Sequence, residues 1–317
     1  MALINAISAE DNMKAQLKQI MQHESFVNFH AYEKHVYHYN PDDFEHTPID
    51  GFKSLWRSER GKEIFLGIVS NRYRVIQNWQ LFSAIERVLV DIFGSLDNVA
   101  IVDEWSDNGA VCLRQYIMHD SVKQLDVNDR SRIAFRVIAS NSFNGGKSAT
   151  VLAGAIDFFC TNGMIIGEFD RLVTTHHTGL NIAKLTDFVR NAYDAFGRDF
   201  ELNKKLLGIS CTRKHAVRLL EKLNDTAKFK DNIGSALDDN IVHHGWNLWS
   251  VLSTATWWSS TREASWAVPN GEAASNNAPV RRLERQKEVR AWTKMHLAPL
   301  VHTPELVRYD VVEEAMP

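Results

Sequence analysis

Arginines at alternate positions are the residues of this chain best suited to chemistry with an anion. Side chains two apart on a strand share a face. In NRYRVI, Arg72 and Arg74 oppose Tyr73 and Val75. In VCLRQYIM, Arg114 and Tyr116 oppose Val111, Leu113 and Ile117. In SRIAFRVIA, Arg132 and Arg136 oppose Ile133, Phe135 and Val137. If the three strands share one sheet, one face is apolar and the other carries Arg72, Arg74, Arg114, Arg132 and Arg136. The planar, weakly hydrated guanidinium suits phosphate, to which it donates paired hydrogen bonds. A merely solvated sheet face also places polar residues at alternate positions, and that is the competing interpretation.

Other constellations are weighed in the same way. NSFNGGKS (residues 141–148) ends like a phosphate-binding loop, but Asn141 stands where the first Gly belongs, and the stretch after Ser148 reads as strand rather than helix. A hairpin tip at Asn144-Gly145 explains the glycines, and Lys147 can touch a nucleic-acid backbone from there. Lys214, Arg218 and Lys222 recur every four residues and form a basic helical stripe, with Ala216, Leu219, Leu220 and Leu223 facing a core. Arg282, Arg290 and Lys294 do likewise near the C-terminus. Such stripes are also ordinary solvated faces. The pairs His176-His177 and His243-His244 are adjacent, so neither is a natural chelate, and no HExxH or Cys/His ligand spacing exists. Five tryptophans lie within residues 246–266, suited to core packing, a subunit contact or base stacking. No nucleophile motif or paired carboxylate motif supports an enzyme, and no metal or cofactor is expected.

The elements that must position these groups can be read from pattern. A first helix is expected from Ser8 to about Met21, then an irregular arm through HVYHYNPDDFEHTPIDG, with the core starting near Glu63. IFLGIVSNRYRVIQ reads as two short strands around Ser70-Asn71. Asn78 reads as the cap of the helix WQLFSAIERVLVDIFG, ended by Gly94. VAIVDEW and AVCLRQYIM form a hairpin across an Asn-Gly turn, and SRIAFRVIAS and SATVLAGAIDFF form a second. GMIIGEF and RLVTTHH are a further strand pair. From Leu180 the pattern turns helical, with Thr212 as an N-cap, a buried WNLWSVLSTATWWSS helix, a loop at VPNGEAASNNAP, and a basic helix from Pro279. The expected class is α+β: an antiparallel sheet flanked by helices, with a helical C-terminal part. The expected divisions are residues 1–62, 63–210, 211–298 and an acidic tail at 299–317.

Composition narrows the rest. The 317 residues are 44% hydrophobic and 24% charged, with net charge -3, which excludes collagen-like, coiled-coil, disordered and uniformly basic classes. No apolar run approaches the roughly 20 residues that span a bilayer. The N-terminus does not resemble a secretory signal. Three widely spaced cysteines fit a reducing compartment, so a cytoplasmic protein is expected. Charge is uneven: residues 1–50 carry three basic and eight acidic side chains, residues 201–230 eight basic and three acidic. That asymmetry suggests an anionic partner, or docking of the acidic arm on basic helices.

VSNRYRVIQN, SNSFNGGKSATV, the strand ending CTNGM, THHTGLNIAKL and WNLWSVLSTATWW occur in an order that resembles the phage/plasmid-like protein family, domain of unknown function nine-three-two. The likeness covers residues from about Gly67 to Trp258. Phe143-Asn144 departs from the His-Asp type of pair usual in that family. Phe158-Phe159-Cys160 departs from an Arg-Val-Val-Cys stretch, which removes a basic residue. The resemblance implies a setting among replication and recombination genes of mobile elements, and no mechanism. The element order is similar, as a fold-level analogy, to single-strand annealing proteins of the RecT, Erf and Sak type.

The expectation is a non-catalytic binder of single-stranded DNA that anneals strands as a homo-oligomeric ring or filament. Its DNA contacts would be Arg72, Arg74, Arg114, Arg132, Arg136, Lys147, Lys214 and Arg218, with Tyr116 stacking. The alternative is a phage or plasmid factor that binds a host protein through the Trp-rich region.

Overall fold

The computed structural model describes residues 27–39, 41–42, 44–125, 131–157, 162–165, 172–174, 181–224, 227–261 and 278–304. The expected first helix, residues 268–277 of the expected VPNGEAASNNAP loop, His176-His177, Trp266 and most of the acidic tail lie outside the described residues. The class is α+β, as expected, with two antiparallel sheets rather than one.

Strands β1 (Ala31–Tyr39), β2 (His46–Glu59) and β3 (Lys62–Ser70) form the first sheet, in the order β1-β2-β3. The stretch expected as an irregular arm is thus a hairpin, with Tyr37 opposite Pro48 and Tyr39 opposite His46. It buries almost nothing beyond His35, so it lacks the apolar alternation that marks a strand in sequence. Helix α1 (Asn78–Phe93) comes next, with Leu81, Ile85, Val88 and Leu89 buried. Asn78 is its first residue, not its cap. Its side chain donates to the Val27 carbonyl and accepts from Asn141, while Gln80 Oε1 accepts the Gln77 N–H. Gly94, at φ 85°, stops the helix.

Strands β4 (Val99–Ser106), β5 (Val111–Met118), β6 (Lys123–Gln124), β7 (Arg132–Ser142), β8 (Ala149–Asp157), β9 (Asn162–Ile165) and β10 (Leu172–Thr174) build the second sheet. Its path is β10-β8-β7-β5-β4, with β6 on β7 and β9 on β8. β9 and β10 each pair antiparallel with β8 rather than with one another. Every residue of β7 from Ile133 to Ser142 is buried, and so is all of β5 except Gln115. These strands have no water-facing side.

The helical part comprises α2 (Ile182–Leu207), α3 (Arg213–Glu221), α4 (Ala227–His244), α5 (Leu248–Thr261), α6 (Ala278–Trp292) and α7 (Ala298–His302). Thr212 caps α3 as expected, its hydroxyl accepting the His215 N–H at 3.2 Å. α4 was not legible in the sequence. Trp249 and Trp258 of α5 are core residues, and Trp249 donates its indole N–H to Ser131 at 3.2 Å.

The chain divides into two compact units. Residues 1–118, 137–152 and 171–189 form one; residues 119–136, 153–170 and 190–317 form the other. In the first unit, Gly67 of β3 meets the backbone of the 143–147 loop. A Cβ on Gly67 would lie 2.6 Å from Asn144 Cα. Gly67→Ala therefore forces backbone to move. We expect a loss of roughly 1–3 kcal/mol, read as a lower urea midpoint at unchanged slope.

Candidate nucleic-acid interface

The two halves of the expected arginine face have different fates. Ser106 pairs with Val111 across the β4–β5 turn, which brings Asp103 directly opposite Arg114. Arg114 donates to both Asp103 oxygens, at 2.7 and 2.8 Å, and to Glu86 of α1 at 3.2 Å. Its guanidinium also lies 4.4 Å from the centre of the Phe82 ring. Burial works to lower its pKa, but the hydrogen bonds and charge of Asp103 outweigh that and hold it above the usual value. Tyr116 is fully buried, with its hydroxyl 3.1 Å from Glu86. Burial, and then the Glu86 charge, push its pKa up. Arg136 is buried beneath α6 and donates to Gln286 Oε1 at 2.6 Å. Arg114, Tyr116 and Arg136 were expected on an open face. The correction is that helices cover that face, and no DNA can reach these groups.

Arg72 and Arg74 keep the expected alternation, although not on a strand. β3 ends at Ser70, and residues 71–77 run as an irregular segment whose inward side chains are pinned. The Asn71 N–H donates to the Gly51 carbonyl at 2.9 Å, the buried Tyr73 hydroxyl donates to Ser142, and Asn141 Nδ2 donates to the Ile76 carbonyl at 2.7 Å. Gln77 bridges the N–H and carbonyl of Ala31 on β1, at 2.9 and 2.8 Å. Arg72 and Arg74 are left on the outside, both exposed.

They border a shallow cleft of about 630 Å³, open to water and lined by Glu33, Lys53, Asn71, Arg72, Tyr73, Arg74 and Val75. The lining holds three cations and one carboxylate, and Lys53 Nζ reaches Glu33 at 2.7 Å. Lys53 carries no signal in the sequence, because the stretch before Glu63 has the pattern of an irregular arm. Two further groups adjoin the cleft. Gly145 packs against Val69, the cross-strand neighbour of Lys53, so the loop carrying the exposed Lys147 borders the same sheet. His35 lies opposite Lys53, and Tyr37 and Tyr39, half exposed, continue its side of β1. Their rings form a ladder with His46: His35 to Tyr37 at 6.3 Å, Tyr37 to His46 at 6.4 Å, Tyr39 to His46 at 5.2 Å.

A cationic cleft continued by exposed rings in edge-to-face and tilted contact can hold a chain that is both anionic and aromatic. Strand β8, not a helix, comes after the Gly-Gly-Lys-Ser loop, so no helix terminus is aimed at it.

Lys214 and Arg218 of α3 and Lys222 just past its end are exposed, with Ala216, Leu219 and Leu220 buried behind them. They belong to the second unit, as does the exposed Arg132. Cys112 and Cys211 are buried, and burial pushes their thiols up to about 12 and about 11. Neither can supply a thiolate near neutrality. In a Cys160→Ser variant, we expect Ellman's reagent to react only on the timescale of unfolding. A rapid native-state phase would contradict that burial.

A family model described as a domain of unknown function, DUF932, matches residues 65–294. The chain belongs to that family. No curated protein and no solved structure matches it, so the analogy to strand-annealing proteins gains no support there. Within the DUF932 segment fall Arg72, Arg74, Lys147 and the α3 stripe, whereas β1, β2 and Lys53 precede it. Among the described residues, no group of histidines, cysteines and carboxylates could hold a metal ion, and no helix is long and apolar enough to cross a membrane.

Proposed function

We propose that this DUF932 protein binds single-stranded DNA along the β1–β3 sheet of its first unit. We further propose that it anneals complementary strands as a homo-oligomeric ring or filament, in phage or plasmid recombination or replication in the bacterial cytoplasm. The observation that carries this reading is the convergence of Lys53, Arg72 and Arg74 on one open cleft that continues into exposed rings. Guanidinium forks take the phosphates. Stacking on His35 and Tyr37 uses the faces of the bases and leaves their pairing edges open, which annealing requires. No step of the reading needs a bond to be made or broken.

The alternative, a host-protein binder that uses the Trp-rich region, has less to stand on. Trp249 and Trp258 are core residues, and Trp246, 43% exposed, is the one described tryptophan of that region on the surface proper.

Fluorescence polarisation of a labelled oligonucleotide across a salt series tests the reading. If Lys53, Arg72, Arg74 and Lys147 each meet one phosphate, log affinity falls with log salt at a slope of about -2.8. Absence of binding at low salt overturns the proposal.

A further inference from the structure

The β1–β2 hairpin extends well past the cleft. From His35 to Tyr39 it rises about 13 Å, and its described residues there are exposed apart from the half-buried Val36. The far end carries Tyr39, 47% exposed, and Phe44, 75% exposed, with ring centres 6.5 Å apart. Phe44 also takes a left-handed backbone, φ 57°, an uncommon state for a bulky residue. Rings held out in water on a strained turn lose apolar burial until something covers them. Charge says what would cover them. Residues 35–50 contain four carboxylates and no lysine or arginine. A surface of opposite sign lies on this same chain: α3 and its end carry Arg213, Lys214, Arg218 and Lys222, with Glu221 among them and Asp238 of α4 paired to Arg213. All four cations are exposed.

We infer that the tip of the hairpin docks on the α3 stripe of a second copy of this chain. The contact is heterologous: one copy gives its tip and the next gives its helix. Repetition therefore builds a ring if the rotation closes and a filament if it does not. The inference rests on the oligomeric part of the reading above and names its joint. It leaves the DNA cleft out of the contact, because Lys53, Arg72 and Arg74 lie at the root of the hairpin.

The test is light scattering of the full chain, without DNA, through a dilution series. The wild type is expected to exceed the 36.2 kDa of one copy by an integral factor. Reversing the tip (Asp42→Lys with Glu45→Lys) is expected to bring the mass down to one copy, and so is reversing the helix (Lys214→Glu with Arg218→Glu). Mixing the two variants is expected to recover assembly with the two alternating, because each variant's tip is complementary to the other's helix. Circular dichroism spectra matching the wild type show that the variants fold. A variant that fails the check is replaced by Tyr39→Ser with Phe44→Ser, for which the same drop in mass is expected. A monomeric wild type, variants that assemble unchanged, or a mixture that stays monomeric would each overturn the inference. Arg72→Ala with Arg74→Ala is the separating control. It is expected to assemble normally, so loss of DNA binding and loss of assembly are read independently.

Discussion

Arg72→Ala combined with Arg74→Ala is expected to weaken binding of single-stranded DNA by roughly 10- to 100-fold at low salt. Each lost guanidinium removes a charge-assisted contact to phosphate. The slope of log affinity against log salt is expected to become shallower by about 1.4, at about 0.7 for each phosphate no longer neutralised. Both are exposed, and the segment is fastened by Asn71, Tyr73 and Gln77, whose partners lie on β1, β2 and β7. Stability should therefore stay within about 0.5 kcal/mol of the wild type. An unchanged salt slope would mean that the cleft is not where phosphates sit. A lysine pair at the same positions is expected to recover the slope, because charge is kept. It should recover only part of the affinity, because the fork is lost.

Arg114→Ala is expected to show the opposite pattern. Its side chain is 6% exposed, that of Asp103 is 10% exposed, and Glu86 closes the third side. Truncation leaves the Asp103 carboxylate shielded from water and stripped of the guanidinium. Breaking one side of a buried pair costs about 3–5 kcal/mol. The variant should melt well below the wild type, and the fraction still folded should bind DNA as before. Replacing both partners, Arg114→Met with Asp103→Leu, is expected to recover most of the loss, since the remaining carboxylate, Glu86, is open enough to be hydrated. A stable Arg114→Ala variant that binds DNA poorly would return Arg114 to the interface and contradict its burial.

The difference between these two sites shows what the sequence could and could not convey. Alternation told correctly that Arg72 and Arg74 point away from Tyr73, because the buried tyrosine fixes the phase of the segment. It could not tell whether the other face of a strand meets water. Arg114 has the same spacing and the opposite environment, because α1 lies across its side of β5. A trace of this was legible. The hairpin centred on Asp107–Ala110 pairs residue 106 with 111 and hence 103 with 114, a carboxylate against a guanidinium. The opposed charges marked Arg114 as already neutralised. Arg136 carried no such trace, since its partner Gln286 is 150 residues further on. The β1–β2 hairpin was illegible for another reason. Its far half pairs backbone to backbone while its side chains stay in water, so no apolar period betrays it. With it went Lys53 and the aromatic ladder. α4 was missed because Gly234 and the Asp238-Asp239-Asn240 run interrupt its apolar stripe. By contrast α1, the β4–β5 hairpin, the cap at Thr212 and the buried α5 each bury a regular stripe or use a turn whose chemistry is local. Those signals survive without tertiary knowledge.

The most direct measurement is photocrosslinking of the full chain to a single-stranded oligonucleotide bearing 5-bromodeoxyuridine, with the linked peptides read by mass spectrometry. Adducts are expected at His35, Tyr37 and along residues 71–79. Adducts confined to α3 or α6, or an equal yield from the Arg72→Ala, Arg74→Ala protein, would contradict the account.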